Sequence, residues 1–398
     1  MISLLNKYVK SIHFSKPSTS DIVIFDETNS TLIESVIPDG LTISIFYMRP
    51  MEFYITPMIL FNFIRNLNNF KFRSGAASNR GWLYKIFWQL LCIYIKADLS
   101  SRNPKAIVTS IDNSSKFAWL SENYQLAPCI AIQNGFRLSY AANAEDIYYC
   151  QHLFCFGERE RELYPNIGYK VDNFYPVGSL LLSNSLDNLV VPDKPTYDLL
   201  VVSCWRGNIG FAQDVKDSMK AMRLMDEALA VYLESRDLRA GIILRTERDS
   251  FDWVIPQIGL SEEDYYRSIY GDLVEIIDTN FSERNIYRMM GNADVLLAGF
   301  GTTCLIEAYS MGKKILYINL SGDKKYYSDF DPDIIFSGTA DDYPRLELEL
   351  DNLIAYPKDT YANDNQNLMQ YYMQSSSDYS TSDLIKDKIS DIILSYPV

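Results

Sequence analysis

The chain has 398 residues, of which 47% are hydrophobic and 22% are charged. This composition is ordinary for a folded globular protein, and the length exceeds the roughly 250–300 residues at which a single core usually divides, so two domains are expected. The formal net charge of −14 argues against a protein that binds nucleic acid without sequence preference, because such binding depends on many basic side chains.

The cysteines and the N-terminal residues indicate the compartment. Six scattered cysteines form no Cys-x-x-Cys pair and mostly lie in apolar runs, which indicates reduced core residues rather than disulfides or metal ligands. Residues 1–16 lack the sustained apolar run and the cleavage site of a secretory signal peptide, so a cytoplasmic location is predicted.

In the first half of the chain, short β-rich apolar runs alternate with helical patterns, which is typical of βαβ units and parallel sheets. The predicted strands are at 21–25, 42–47, 106–110, 129–133 and 153–156. The predicted helices between them are at 54–67, 82–98 and 116–124.

One basic stretch stands out in this acidic chain. From Arg65 to Lys96 there are six basic side chains and no Asp or Glu. The apolar run inside it, residues 82–95, is interrupted by Lys85 and is shorter than the about 20 residues that a membrane-spanning helix needs. Two interpretations remain open: a buried core helix, or a peripheral contact of residues 65–96 with the inner membrane.

A polar stretch at residues 183–195 is predicted to link the first half to a second series of βα units. There the predicted strands are at 198–203, 241–245, 274–278, 295–298 and 314–318, and the helices at 212–235, 261–270, 283–290 and 303–311. We therefore predict an α/β protein with two Rossmann-like doubly wound domains, 1–185 and 196–342. Two further helices, at 343–354 and 382–395, lie in a third segment, 343–398, that we expect to cross back to the first domain.

Residues 293–320 contain the most informative motif. A strand ends at Ala298, a turn through Gly301 follows, and Thr302 and Thr303 open a helix with Glu307 one turn along. Hydroxyls and unpaired amide groups at a helix N-terminus favour a phosphate, and the carboxylate suits the hydroxyls of a ribose. The alternative is an ordinary helix for which Thr302 is only the N-cap.

Charged side chains also follow the strand predicted at 241–245. Arg245, Glu247 and Asp249 stand at its carboxyl end, which is where ligands bind in open α/β sheets. The alternative is a charged loop without a function.

Polar residues follow two strands of the first half in the same way. Asp112 and Asn113 come after the strand at 106–110, and Gln133, Asn134 and Arg137 come after the strand at 129–133. The alternatives are a helix cap for Asp112 and a turn residue for Asn134, which precedes a glycine.

A further pair, Glu158 and Arg159, follows the strand at 153–156. Its position suits a cleft residue, although two charges after a glycine are also common in a loop without function.

These motifs resemble a known family. Residues 293–320 are similar to the nucleotide-binding half of GT-B glycosyltransferases, where a Ser/Thr pair and a later Glu hold the donor. Residues 110–137 and 176–179 resemble proteins of bacterial surface-carbohydrate synthesis, and the best match is to retaining β-Kdo transferases that use CMP-linked sugar. The chain departs from the related teichoic-acid enzymes, because it has Asn134-Gly135 in place of His-Gly and no His-Pro pair near Arg245.

The resemblance implies a GT-B fold, with two Rossmann-like domains facing a cleft. It implies CMP-Kdo as the donor, bound by Arg245, Gly301, Thr302, Thr303 and Glu307, and a lipopolysaccharide O-antigen or capsule glycan, free or lipid-linked, as the acceptor. The acceptor side would include Asn113, Gln133, Asn134, Arg137 and Arg159. The catalytic carboxylate would be one of Asp112, Glu158, Glu247 and Asp249.

No cofactor and no metal are expected, because no Asp-x-Asp triplet stands in a loop suited to a metal and a diphosphate. Two other functions remain open. One is a UDP-sugar transferase or an epimerase-like enzyme on the same fold, and the other is a catalytically idle subunit that binds a glycan or a partner enzyme.

Overall fold

A computed structural model of the chain describes residues 9–48, 51–68, 81–139, 148–186, 194–205, 213–245, 260–277, 286–299, 301–323, 329–375 and 380–396. The chain forms two compact units. Unit 1 comprises residues 1–135, 142–184 and 374–398, and unit 2 comprises residues 136–141 and 185–373. Of the C-terminal segment for which a crossing back was expected, residues 343–373 thus lie in unit 2 and residues 374–398 in unit 1.

The strands of the described residues are numbered in chain order. They are β1 (Val9–His13), β2 (Ile22–Phe25), β3 (Ile43–Phe46), β4 (Met51–Tyr54), β5 (Ala106–Thr109), β6 (Cys129–Ile132), β7 (Tyr149–Cys155), β8 (Lys170–Pro176), β9 (Tyr197–Val202), β10 (Ala240–Ile243), β11 (Val274–Ile277), β12 (Ala293–Ala298), β13 (Lys314–Asn319) and β14 (Ile335–Ser337).

The α-helices are numbered in the same way. They are α1 (Ser30–Glu34), α2 (Pro57–Leu67), α3 (Trp82–Arg102), α4 (Ser115–Asn123), α5 (Glu158–Asn166), α6 (Leu180–Leu186), α7 (Gln213–Glu234), α8 (Glu262–Tyr270), α9 (Ile286–Gly291), α10 (Thr303–Ser310), α11 (Tyr343–Ala355), α12 (Lys358–Asp364), α13 (Gln366–Tyr372) and α14 (Thr381–Ser395).

Unit 1 is built on a six-stranded sheet in the order β3-β2-β5-β6-β7-β8, in which each pair of neighbouring strands is parallel. Strand β2 shows why the sheet lies inside the unit. Its four side chains are all buried, and successive residues point to opposite faces, where Val23 and Phe25 join one core cluster and Ile22 and Ile24 the other. Both faces of the sheet are therefore covered.

Helix α14 closes one face of unit 1. Ile385, Ile389 and Ile392 recur at helical spacing and pack in the same core cluster as Leu32 and Ile33 of α1. The helix begins where the Ser380 side chain accepts a hydrogen bond from the backbone of residue 383, a standard N-cap.

The structure contains elements of unit 1 that the sequence patterns did not indicate. Strand β8 is polar and half-exposed because it lies at the edge of the sheet, so it has no apolar run. Strands β1 and β4 pair with each other in a separate two-stranded sheet, and α5 begins directly after the loop that follows β7.

Unit 2 is built on a second parallel sheet in the order β11-β10-β9-β12-β13-β14. Strands β9, β12 and β13 are almost wholly buried, as expected for the centre of a sheet that is covered on both faces. The predicted fold class is confirmed in that both units are α/β and both main sheets are parallel.

Candidate functional site

The strand order of unit 2 defines where a ligand would bind. Counted along the chain, the six strands lie in the order 3-2-1-4-5-6, so the direction of winding reverses between β9 and β12. Ligands of open α/β sheets bind at the carboxyl ends of the strands at such a switch point, because the crossovers on either side leave in opposite directions. Residues 203–205 after β9 and residues 301–303 after β12 therefore lie at the candidate site.

Helix α10 begins at this switch point. Its N-cap residue, Thr302, has extended backbone angles, φ −126° and ψ 141°, and its side chain does not cap the first turn. The Tyr317 hydroxyl donates a hydrogen bond of 2.8 Å to the Thr302 carbonyl and holds the turn in place. A helix leaves its first-turn amide groups without intrahelical partners, and here the N-cap side chain accepts no hydrogen bond from them. This arrangement suits an anion.

The second hydroxyl of the predicted pair already has a partner. The side-chain oxygen of Thr303 accepts a hydrogen bond of 2.9 Å from the amide of Phe136, within unit 2. The Phe136 ring also stacks 5.6 Å from that of Phe330. Thr303 therefore anchors residues 136–139 as well as standing at the start of α10.

The same segment explains a glycine that the sequence singled out. A Cβ added to Gly301 would lie 2.5 Å from a Leu138 methyl carbon, so the side chain of Leu138 takes the space that any larger residue would need. Gly301 thus has a packing role within unit 2, because a larger residue would make the Leu138 side chain shift.

Glu307 lies one turn into α10 and is only 2% exposed. Its carboxylate accepts a hydrogen bond of 3.1 Å from the Tyr287 hydroxyl on α9. A carboxylate offers about four acceptor sites, so Glu307 is of the chemical type that binds a diol such as a ribose.

Arg245 follows β10, next to β9 in the sheet. Its guanidinium donates 2.7 Å to the carbonyl of Trp205, and its amide donates 2.8 Å to the carboxylate of Glu262. Desolvation raises the pKa of the Cys304 thiol on α10 to about 12, and the positive charge of Arg245 acts against that rise. The guanidinium is thus within electrostatic reach of the start of α10.

Glu262, at the start of α8, is a residue of this site that the sequence motifs missed. It is buried, and its carboxylate accepts hydrogen bonds both from the amide of Arg245 and from the hydroxyl of Ser203. It therefore ties the carboxyl end of β9 to that of β10. The available signal was an acid directly after the helix-capping Ser261, but such acids are common at helix N-termini for electrostatic reasons alone.

A buried cluster lies behind these residues. Tyr266 donates a hydrogen bond of 2.9 Å to the hydroxyl of Ser203. In the same cluster, the hydroxyls of Tyr265 and Tyr270 donate hydrogen bonds of 2.9 and 2.8 Å to the carboxylate of Asp226, which is fully buried. Burial raises the pKa of Asp226 to about 7, and the two tyrosine hydrogen bonds only partly oppose this rise.

Two of the predicted catalytic residues of this unit, Glu247 and Asp249, lie outside the described residues. Of the predicted donor residues, Gly301, Thr302, Thr303 and Glu307 occur together on one turn and one helix. Arg245 joins them across the sheet.

Unit 1 has its own switch point. The strand order, counted along the sheet's own strands, is 2-1-3-4-5-6, and the winding reverses between β2 and β5. Asp112, which follows β5, is 1% exposed, and its carboxylate accepts a hydrogen bond of 3.3 Å from the amide of Asn134. The loops after β5 and β6 are thereby joined, as their positions in the sequence suggested, while the side chains of Asn113 and Asn134 are exposed.

The loop after β2 lies at the same switch point and was not singled out in the sequence. Asp26 is buried and has a φ of 81°, a conformation that Asp adopts more readily than most residues other than glycine. Its carboxylate accepts hydrogen bonds from the amide and the hydroxyl of Thr28, at 3.1 and 2.7 Å. The hydroxyl of Ser110, after β5, donates 2.9 Å to the carbonyl of Thr28.

Gln133, after β6, has a positioning role. Its side-chain oxygen accepts 2.9 Å from the amide of Phe156, and its side-chain nitrogen donates 3.0 Å to the carbonyl of Gly135. It also lies 3.4 Å from the carboxylate of Glu160. Gln133 thus connects the loops that follow β6 and β7.

The acids at the start of α5 differ in their surroundings. The side chain of Glu158 is 49% exposed and pairs with Arg161 at 3.1 Å. Glu160 is fully buried, lies 3.4 Å from the buried guanidinium of Arg159, and has its pKa raised by burial. The buried acid of this loop is therefore Glu160, two residues beyond the one that the sequence indicated.

Among the described residues there is no group of three or more His, Cys, Asp or Glu side chains that could hold a metal ion. The same part of the chain contains no helix long and apolar enough to cross a membrane. Arg137 is half-buried in unit 2.

Comparison with known proteins shows that the chain is similar in fold to several solved structures. No protein-family profile and no curated protein sequence matches the chain. Among solved structures, the lipopolysaccharide outer core galactosyltransferase WaaB in its apo form is 16% identical, with a TM-score of 0.49 over 97% of this chain and 99% of that one. The glycosyltransferase SnogD from Streptomyces nogalater is 11% identical, with a TM-score of 0.47 over 94% and 100% of the two chains.

A third similar structure is a UDP-glucose: anthocyanidin 3-O-glucosyltransferase in complex with UDP. It is 11% identical, with a TM-score of 0.47 over 98% of this chain and 99% of that one. Similarity at this level of identity concerns the fold alone. The two parallel-sheet units are defined by their own strand order, as described above.

Proposed function

We propose that the protein is a glycosyltransferase that binds a nucleotide sugar in unit 2 and transfers the sugar to a hydroxyl group of a bacterial surface polysaccharide. The observation that carries this proposal is the crossover from β12 to α10. It combines an N-terminus without a side-chain cap and a buried glutamate at the switch point of the sheet.

Each part of that crossover suits one part of a nucleotide. The first-turn amides of α10 and the hydroxyl of Thr302 would bind the donor phosphate, helped by the positive end of the helix dipole. Glu307 would accept hydrogen bonds from the ribose hydroxyls. Arg245 would supply the positive charge that a phosphate or a sugar carboxylate needs, since a guanidinium can donate to either in two-point fashion.

The acceptor side is proposed for unit 1, with Asp112 as the preferred carboxylate. Its burial and its position at the switch point of that unit support it over Glu158, which is exposed and paired with Arg161. Asn113, Gln133, Asn134 and Arg159 of unit 1 remain the candidates for binding substrate, together with Arg137, which belongs to unit 2.

In the reaction, the acceptor oxygen forms a bond to the anomeric carbon of the sugar. The bond from that carbon to the donor phosphate breaks, and the nucleotide leaves with the bonding electrons. The proton of the acceptor hydroxyl passes to a carboxylate. A retained configuration would favour two such displacements, the first by a carboxylate that holds the sugar covalently.

For the donor we propose a CMP-linked Kdo or related nonulosonate, and for the acceptor a lipopolysaccharide O-antigen or capsule glycan, in the cytoplasm. The support is the resemblance of residues 110–137 and 293–320, together with Arg245 near the donor site and Arg159 in unit 1 as partners for a sugar acid. No metal or cofactor enters this proposal, and phosphate neutralisation rests on the helix N-terminus and Arg245.

A UDP-sugar donor is the second candidate. The groups that favour a nucleotide, Thr302 and Glu307 with the first-turn amides, would contact a phosphate and a ribose, which CMP and UDP share. A subunit that binds a glycan without transferring sugar is the third, and its support is the absence of the His-Gly and His-Pro pairs from the sequence.

The test is a thermal titration of the protein with CMP, CDP, UDP and GDP in the absence of added metal. A ligand at about 100 times its dissociation constant stabilises the native state by about 2.7 kcal/mol, which raises the midpoint measurably. Thr302→Val should reduce the shift. Thr196→Val is the matched control. Thr196 is half-buried just before β9, at the amino ends of the strands and so at the opposite end of the same sheet from the candidate site.

A shift with CMP that Thr302→Val weakens supports the proposed donor class, and CMP-Kdo turnover is then assayed directly. A shift with UDP alone would replace the donor and keep the enzyme class. The absence of a shift with every nucleotide would sink the proposal in favour of a subunit without transferase activity.

A further inference from the structure

A large apolar surface lies on two helices of unit 1, α2 and α3, which pack against each other. Seven side chains on the two helices are between 49 and 65% exposed: Met58, Leu60, Phe61, Ile64, Trp82, Leu83 and Phe87. We call these seven residues the apolar patch. Soluble proteins expose single apolar side chains routinely, but seven large ones on two helices that pack against each other favour a binding surface.

The opposite sides of the same helices are anchored in the core. On α2 the buried residues include Ile59 and Asn62, and on α3 they include Cys92 and Ile93. Phe63 and Trp88 pack against the small core cluster of Cys92, Ile93 and Trp119. Each of the two helices therefore has one side buried in the core and a second apolar side, the apolar patch, that is exposed.

Charge distinguishes this surface from the rest of the chain. No Asp or Glu occurs between Glu52 and Asp98, whereas Arg65 on α2 and Lys85 on α3 lie within the patch helices. The two flanking acids are engaged elsewhere, Glu52 with Lys10 at 3.0 Å and Asp98 with Arg102 in the core. Within residues 53–97 the charged side chains are thus all basic, in a chain whose net charge is −14.

We infer that the apolar patch binds the surface of an anionic lipid bilayer. Aromatic and aliphatic side chains with adjacent Lys and Arg are the features by which a helix lies in the interface, with its apolar side about 5–10 Å into the headgroup region. Because the rest of the chain is acidic, an anionic surface would repel its other faces. The charge distribution therefore orients this face of unit 1 toward the lipid.

A second copy of the chain fits the patch less well. A two-fold symmetric contact places the same surface on both sides, so Arg65 and Lys85 of one copy would meet the basic residues of the other. No acid in residues 53–97 is available to pair them. Anionic headgroups supply that charge.

The experiment is co-sedimentation of the full chain with vesicles of phosphatidylcholine alone and with vesicles containing about one third phosphatidylglycerol. We expect binding to the second kind only, with weaker binding as salt screens the charges. Phe61→Ser with Ile64→Ser should lower the partition coefficient at least about tenfold, since each methylene withdrawn from the interface is worth about fourfold.

Two further variants sharpen the test. Arg65→Glu changes the charge by two and should lower binding by about twenty-fivefold, at about fivefold for each unit of charge. Leu348→Ser with Leu394→Ser is the matched control, because these leucines are 60 and 86% exposed outside the patch. The control should bind vesicles as the unaltered chain does.

Several results would overturn the inference. They are equal binding to both vesicle types, no binding to either, or an equal loss in the control variant. A dimer seen by light scattering that Phe61→Ser with Ile64→Ser dissociates would instead assign the patch to self-association. Nucleotide binding by these variants should stay unchanged, so this test and that of the donor site fail independently.

Discussion

Replacing Asp226 with Asn is expected to change how the stability of unit 2 depends on pH. The carboxyl group is fully buried, and its pKa is raised to about 7 from an ordinary 3.8. Between these two values the unfolded chain has lost the proton and the folded chain keeps it. Stability therefore falls as the pH rises through this window and becomes independent of this group above it.

The magnitude follows from the two pKa values. At 1.36 kcal/mol for each pH unit between them, the ionised carboxylate costs about 4 kcal/mol above pH 7. Asn carries no charge, and its carbonyl can still accept from Tyr265 or Tyr270, at a loss of about 1 kcal/mol for one imperfect hydrogen bond. Asp226→Asn should then be more stable than the unaltered protein by about 3 kcal/mol at alkaline pH and slightly less stable at about pH 4.

The assay is urea denaturation at a series of pH values, followed by tryptophan emission. Trp205 reports on unit 2, because it is fully buried with its ring 5.0 Å from that of Tyr265. Asp237→Asn makes the same chemical change at an exposed position of unit 2 and should leave the pH profile unaltered. Parallel stability profiles for Asp226→Asn and the unaltered protein would refute the reasoning, because they would mean that Asp226 titrates alike in both states.

Three other predictions concern the candidate site. Glu307→Gln should weaken binding of the preferred nucleotide about tenfold in isothermal titration, but leave binding of its 2′,3′-dideoxy analogue unchanged, since that analogue lacks both ribose hydroxyls; equal losses for both nucleotides would contradict the assignment. Gly301→Ala should destabilise unit 2 by about 1–2 kcal/mol in urea, because its methyl group forces the Leu138 side chain to shift, and the same change should cost less in a Leu138→Ala protein than in the unaltered one. Glu262→Ala removes the acceptor of two buried donors and should cost about 2–4 kcal/mol, whereas Glu262→Gln should retain most of the stability; similar losses for both would argue against the hydrogen-bonding role.

The sequence alone determined the class of architecture and where its central strands lie. The strands predicted at 198–203, 295–298 and 314–318 correspond to β9, β12 and β13, whose side chains are almost all buried. A central parallel strand has to be apolar on both faces, so its pattern is visible without knowing its neighbours. Helix α10 was equally visible, because its start combines a glycine turn with two threonines.

Other elements depend on neighbours that a linear pattern does not identify. Strand β8 carries polar residues because it lies at the edge of its sheet, and β1 pairs with a strand about 40 residues away. Residues 136–141 belong to unit 2 although both of their chain neighbours belong to unit 1. That placement gives Gly301 its packing role, which the motif alone would assign to a ligand.

The site residues divide along the same line. Sequence spacing sufficed to place Thr302, Thr303 and Glu307 close together, because they lie on one local element. Asp26, Glu160 and Glu262 became visible only when the strand order and the burial were known, since charged residues in loops and first turns look alike in sequence. Glu158 and Glu160 differ by two positions, and the turn of a helix puts one in solvent and the other in the core. Tertiary structure decided which of these acids are buried, because burial depends on what packs against each side of an element.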